Sequence, residues 1–131
     1  MSLKPGLAQT AFLRTGDLYC NENKISFIDF LKIDVEGAEH LVLAGFKKMF
    51  EKKAVRLVQF EYGYTNGDSK FLMRDFYDHF RRLGYLTAPV RKGTISFEEW
   101  TYKLNDFNSG PNFIAIREDD LELKTLLSSP S

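Results

Sequence analysis

Cysteine is nearly missing from this chain: Cys20 is the only one among 131 residues, so no internal disulfide and no multi-cysteine zinc cage can form. That usage fits a reducing compartment. Long apolar runs are missing too, and nothing approaches the roughly 18 residues that a membrane-crossing helix needs. Neither charge is in excess. Eighteen basic and eighteen acidic side chains cancel, so no global field steers the protein toward phosphate backbones or anionic bilayers. Neither nucleic acid nor membrane is expected as a partner. The opening Met-Ser-Leu-Lys-Pro-Gly lacks the apolar stretch of a secretory signal, and the expected location is the cytoplasm. The nine glycines never fall in a Gly-x-Gly turn or a P-loop, so the chain carries no phosphate or nucleoside cradle of its own. There is no internal repeat and no low-complexity block.

Large apolar side chains are plentiful. Twelve Phe, six Tyr and one Trp, within 44% hydrophobic residues, give a single globular domain enough material for a core without staples. Residues 1–24 form an arm in which Pro5, Gly6 and Gly16 allow one short helix near residues 15–23. Residues 25–117 carry the folded body, and residues 118–131 are a charged, then Ser/Pro-rich tail with room for one short helix. Within the body, Phe27, Ile28, Phe30, Leu31, Ile33 and Val35 make an almost continuous apolar run, the pattern of a strand buried on both faces.

Gly37 ends that run. Val42, Phe46, Met49 and Phe50 then follow a helical period, with Glu36 and Glu39 at the start and Lys47, Lys48, Lys52 and Lys53 at the end to complement the dipole. Residues 55–62 supply a second β-rich run, and a parallel return through a right-handed crossover is the default. A turn over residues 63–67, an N-cap at Asp68, a second helix lined by Phe71, Leu72, Phe76, Phe80 and Leu83, and a closing Gly84 come next. Short β-prone runs at residues 85–90, 94–97 and 112–117 suit an antiparallel hairpin finishing an otherwise parallel sheet.

Ligands of open α/β sheets bind where loops leave the carboxyl ends of the strands. Two places qualify: Asp34 to Glu39 after the first strand, and Glu61-Tyr62-Gly63 after the second. If those strands are neighbours, Asp34, Glu36 and Glu61 converge along one rim. Clustered carboxylates raise one another's pKa and can hold hydroxyls, an ammonium group or a divalent cation. Alternatively, Asp34 and Glu36 cap the following helix and Glu61 pairs with a lysine or arginine. No metal ligand set is assigned. His40 and His79 lie on different helices with no i, i+4 partner and read as ordinary helix residues. Cys20 reads as a structural thiol, and the basic pairs as solvated faces.

Three segments carry a family resemblance. Ile-Asp-Phe-Leu-Lys-Ile-Asp-Val-Glu-Gly-Ala-Glu (Ile28 to Glu39), Val58-Gln59-Phe60-Glu61-Tyr62-Gly63 and Phe71-Leu72-Met73-Arg74-Asp75-Phe76-Tyr77 resemble, in order and spacing, the signatures of the FkbM-type methyltransferase family. Thr15-Gly16-Asp17-Leu18-Tyr19-Cys20 is similar to the family's Thr-Leu-Asp-x-Tyr-Cys helix, with Gly16 in place of Leu. Asn112-Phe113-Ile114-Ala115 is similar to its closing strand.

The resemblance implies an α/β fold: a partial Rossmann-like sheet corresponding to the C-terminal half of such a domain, with parallel strands, a closing antiparallel hairpin and flanking helices. It implies an S-adenosylmethionine-dependent O-methyltransferase acting on a hydroxyl of a sugar or secondary metabolite, so a small-molecule or glycan acceptor. In that reading Glu36 and Glu61 are the candidate catalytic residues, orienting or deprotonating the acceptor, and Asp34 is the candidate cofactor-binding residue. The family's glycine-rich turn lies upstream of anything here, so the expectation is a truncated domain, inactive by itself, with binding of the cofactor by this chain alone doubtful. It also leaves strand 27–35 with a bare edge, open to pairing with a second copy or to coverage by the arm. A non-catalytic oligomerising module is the alternative; a carboxylate-based hydrolase is a third option, without a carboxylate pair at a defined separation.

Overall fold

The structure, a computed structural model, describes residue 6 and residues 8–130. It is an α/β protein built on one mixed four-stranded sheet. In chain order the elements are α1 (Gly16–Glu22), β1 (Ile28–Ile33), α2 (Glu39–Gly45), α3 (Lys47–Glu51), β2 (Val55–Glu61), α4 (Tyr64–Ser69), α5 (Met73–Arg82), β3 (Tyr85–Pro89), a 3₁₀ turn (Tyr102–Asn105), β4 (Asn112–Arg117) and α6 (Leu121–Ser128). The sheet order is β1-β2-β4-β3, with β1 and β2 parallel and β4 antiparallel to both of its neighbours. This is the expected parallel pair closed by a hairpin, compatible with a partial Rossmann-like sheet.

Aromatic burial holds the layers together. Phe60 of β2 stacks on Phe76 of α5 at 4.6 Å between ring centroids and lies 6.0 Å from Phe113 of β4. Phe50 of α3 meets Phe80 and Tyr85 edge-on. All of these side chains are buried, and each contributes about 1.5–3 kcal/mol through apolar area withdrawn from water. Asp17 ties the arm to this core: its carboxylate accepts from the N–H groups of Lys48 (2.8 Å) and Met49 (3.0 Å), capping α3 from α1. Gly16 is required by the same packing. A Cβ there would lie 2.2 Å from the Phe46 ring, which fills the space a leucine would take.

Several sequence expectations are corrected. The first strand is not buried on both faces: only Ile33 is buried, and Phe30 is 55% exposed. The reason is position, because β1 is an edge strand with a neighbour on one side only. The helix expected through Phe46 breaks there into α2 and α3, and it is Leu43 rather than Val42 that is buried. The turn at residues 63–67 is helical, as part of α4, and Asp68 lies inside that helix rather than capping the next. The carboxylate at the start of α5 is Asp75, which accepts from the N–H of Leu72 at 2.8 Å. Residues 94–97 form no strand; one backbone bond from Ile95 N–H to the Leu127 carbonyl fastens them to α6. The tail helix does form, capped by Asp120, whose carboxylate also takes both the Nε and an Nη of Arg56 on β2.

Candidate functional site at the carboxyl rim

Because β1 and β2 run parallel and adjacent, with Ile33 opposite Phe60, the loops leaving their carboxyl ends start side by side. The chain leaves β1 through Asp34 and Val35 and turns sharply at Glu36 and Gly37, whose φ values are +53° and +101°. Left-handed backbone is strained for glutamate and costs about 1 kcal/mol. Glycine is mandatory at the second position: a Cβ on Gly37 would lie 2.7 Å from the Thr65 carbonyl oxygen. That close approach brings the loop after β1 onto α4.

The turn places three acids together. One carboxylate oxygen from each of Asp34, Glu36 and Glu61 lies within 4.8 Å of the others; Asp34 and Glu36 are exposed and Glu61 is half-buried. Partial loss of hydration and the negative Asp34 beside it, with Glu36 behind, hold the Glu61 carboxyl above its ordinary range, and Lys32 offsets part of this. The alternative roles are not what the geometry shows. The residue preceding α2 is Ala38, which makes no side-chain cap, and among the described residues Glu61 forms no ion pair with lysine or arginine.

The acid that does organise this turn is Glu39. It is 1% exposed, and its two oxygens accept from Val35 N–H (3.3 Å), Gly37 N–H (2.9 Å) and the amide of Asn66 (3.3 Å). Asn66 in turn accepts from Gly63 N–H at 3.0 Å. The sequence reading treated Glu39 as a dipole complement and Asn66 as a turn residue. The available signal was phase: Glu39 stands four residues before Leu43, on the face of α2 that is buried.

His40 and His79 stay out of this cluster. His40 stacks on Phe71 at 5.1 Å, and burial, with Arg82 nearby, pushes the His79 pKa down. Cys20 is a buried free thiol. Two clefts lie away from the rim, about 410 Å³ against α5 and β3 and about 620 Å³ beside α1 and α3; none of the three acids lines either. No described helix is long and apolar enough to cross a membrane.

With this geometry in place, the comparison with known families is decisive. Residues 11–87, more than half of the chain, match the methyltransferase FkbM domain. The chain belongs to that family. No curated protein and no solved structure matches it. In this FkbM-family chain the matched span contains β1, β2, α4, α5 and all three rim acids, and ends inside β3; the Asn112-Phe113-Ile114-Ala115 strand lies beyond it.

Proposed function

We propose that the rim of Asp34, Glu36 and Glu61 is the place where a hydroxyl acceptor and the cationic end of S-adenosylmethionine meet, making this an O-methyltransferase site for a small molecule or glycan. The observation that carries the reading is the convergence of three carboxylates within 4.8 Å at the carboxyl ends of two parallel strands. The donor set fits a cationic group: three acids, two of them exposed, attract a sulfonium or ammonium charge. None of the nine glycines offers a Gly-x-Gly turn for the adenosine portion, so the part assigned to this chain is the sulfonium end and the acceptor. For the same reason we propose that the chain does not turn over by itself.

S-adenosylmethionine, when bound, supplies an electrophilic methyl group. Asp34 would hold the cationic centre. Glu61, whose carboxyl is held above its ordinary range, and Glu36 would accept hydrogen bonds from the acceptor hydroxyl, and one of them would take its proton as the methyl passes from sulfur to oxygen, the S–CH3 bond breaking and the neutral thioether S-adenosylhomocysteine leaving. Glu39 and Asn66 hold the two loops in register, which matters because transfer in line depends mainly on the placement of the reactants. A cytoplasmic location belongs to the same proposal, supported by the single cysteine, which fits a reducing compartment.

Labelled methyl transfer to a panel of polyols and glycosides, by this chain extended upstream with a glycine-rich cofactor-binding half, tests the assignment. Transfer that falls by two orders of magnitude or more in Glu36→Gln and Glu61→Gln supports it. Transfer unchanged in both variants removes both from the reaction.

A further inference from the structure

β3 is the outer strand of the sheet on the side opposite β1. Glu118 N–H donates to the Gly84 carbonyl at 3.0 Å and Val90 N–H donates to the Asn112 carbonyl at 2.9 Å. In an antiparallel ladder with this register, those bonds assign the even-numbered residues of β3 to the pairs bonded to β4. The backbone N–H and C=O of Tyr85 and Thr87 therefore point outward. No backbone bond joins them to residues 91–101.

This open edge borders the cleft of about 410 Å³, walled by α5 on one side and residues 97–100 on the other. Thr87 lines the cleft, is 5% exposed, and its Oγ1 has no hydrogen-bond partner. An unsatisfied buried hydroxyl beside unpaired edge groups marks a place where hydrogen-bonding capacity is left over. The charge of the walls is uneven. Asp78, Glu98, Glu99 and Glu118 line it against Arg74 and Arg81, and the Arg74 guanidinium is already committed to the Trp100 ring, 5.3 Å from its centroid.

We propose that this cleft receives an extended peptide segment bearing lysine or arginine, which adds to β3 as a further strand. The main chain of the segment bonds to Tyr85 and Thr87, and its alternate side chains reach the acids while their alkyl stems lie on Tyr77 and Trp100. Pro89 has no N–H to offer and ends the paired stretch. A second copy of β3 is a poor occupant, because it brings the same acids into an already acidic cleft. The site is separate from the carboxyl rim and does not depend on methyl transfer.

The test is an NMR titration with the hexapeptide acetyl-Lys-Val-Lys-Val-Lys-Val-amide. The expected result is saturable shifts of the Tyr85 and Thr87 amides and the Trp100 indole. Affinity drops by about tenfold or more for the peptide with glutamate in place of lysine, and for the peptide N-methylated on alternate residues. A Glu98→Lys, Glu99→Lys double variant, altered only in an exposed loop, weakens the lysine peptide by a similar factor while leaving the core amides unshifted. Absence of shifts at Tyr85 and Thr87 overturns the proposal. Equal binding by the N-methylated peptide overturns strand addition, and equal binding by the glutamate peptide overturns the cationic preference.

Discussion

Asn66 and Glu39, 27 residues apart in sequence, share a hydrogen bond of 3.3 Å that joins the turn after β1 to the turn after β2. Through it one buried carboxylate and one amide side chain fix both ends of the acidic rim. Removing either partner leaves a buried polar group unsatisfied, which costs about 1–3 kcal/mol. Glu39→Ala and Asn66→Ala should each lower stability by that amount in urea titrations, and the double variant should lose less than the sum. Strict additivity would show that the two side chains are not coupled.

Backbone strain at neighbouring positions should respond in opposite directions. Gly37→Ala meets both a φ of +101° and the Thr65 carbonyl, so it should cost about 2 kcal/mol or more. Glu36→Gly removes a strained left-handed glutamate and should leave stability unchanged or raise it by up to about 1 kcal/mol, while discarding a rim carboxylate. Equal destabilisation by both changes would contradict this account of the turn.

How far the sequence anticipated this site depends on which residues are considered. Alternation and run length placed β1, β2, β3 and β4 within a few residues, and the parallel pairing of β1 and β2 brought Asp34, Glu36 and Glu61 together as expected. The family resemblance, carried by residues of the β1 and β2 turns and of α5, agrees with the match to residues 11–87. What the chain did not disclose was tertiary. An apolar run reads the same whether a strand is central or at an edge, so the exposure of Phe30 was invisible. The break between α2 and α3 has no proline and only Gly45 as a local signal, too weak by itself to end a helix, while Asp17 caps α3 from 31 residues away. Glu39 looked like any acid in a first helical turn, and only its packing against Asn66 makes it a strut.

The rim should also be visible in the pH dependence of stability. Glu61 has a folded pKa above its ordinary 4.5, so the folded state holds that proton more tightly than the unfolded state. The sign follows: the penalty is absent below the ordinary value and appears as pH rises through the raised one. Glu61→Gln and Asp34→Asn should therefore raise the melting temperature at neutral pH and lose that advantage in acid. A gain that persists below the ordinary carboxylate range would assign it to packing instead of repulsion.

The open edge of β1 leads to a proposal about assembly. Phe27 and Phe30 are 42% and 55% exposed, and only Asp29 and Lys32 interrupt the apolar strand. We propose self-association of two copies through this edge. Sedimentation velocity should show a mass that rises with concentration and falls back to the monomer in Phe30→Lys. A monomer at every concentration, with fast amide exchange along β1, would remove the proposal.

The central claim is that Asp34, Glu36 and Glu61 surround one ligand space suited to a sulfonium ion. It is tested most directly by titrating the protein with S-adenosylmethionine and, separately, with the uncharged-sulfur S-adenosylhomocysteine, following backbone amides by NMR. The account predicts saturable shifts at Val35, Glu36, Gly37 and Gly63, larger for the sulfonium compound and abolished in the Asp34→Asn, Glu36→Gln, Glu61→Gln triple variant. Shifts confined to other parts of the sheet, or unaltered in the triple variant, would contradict it.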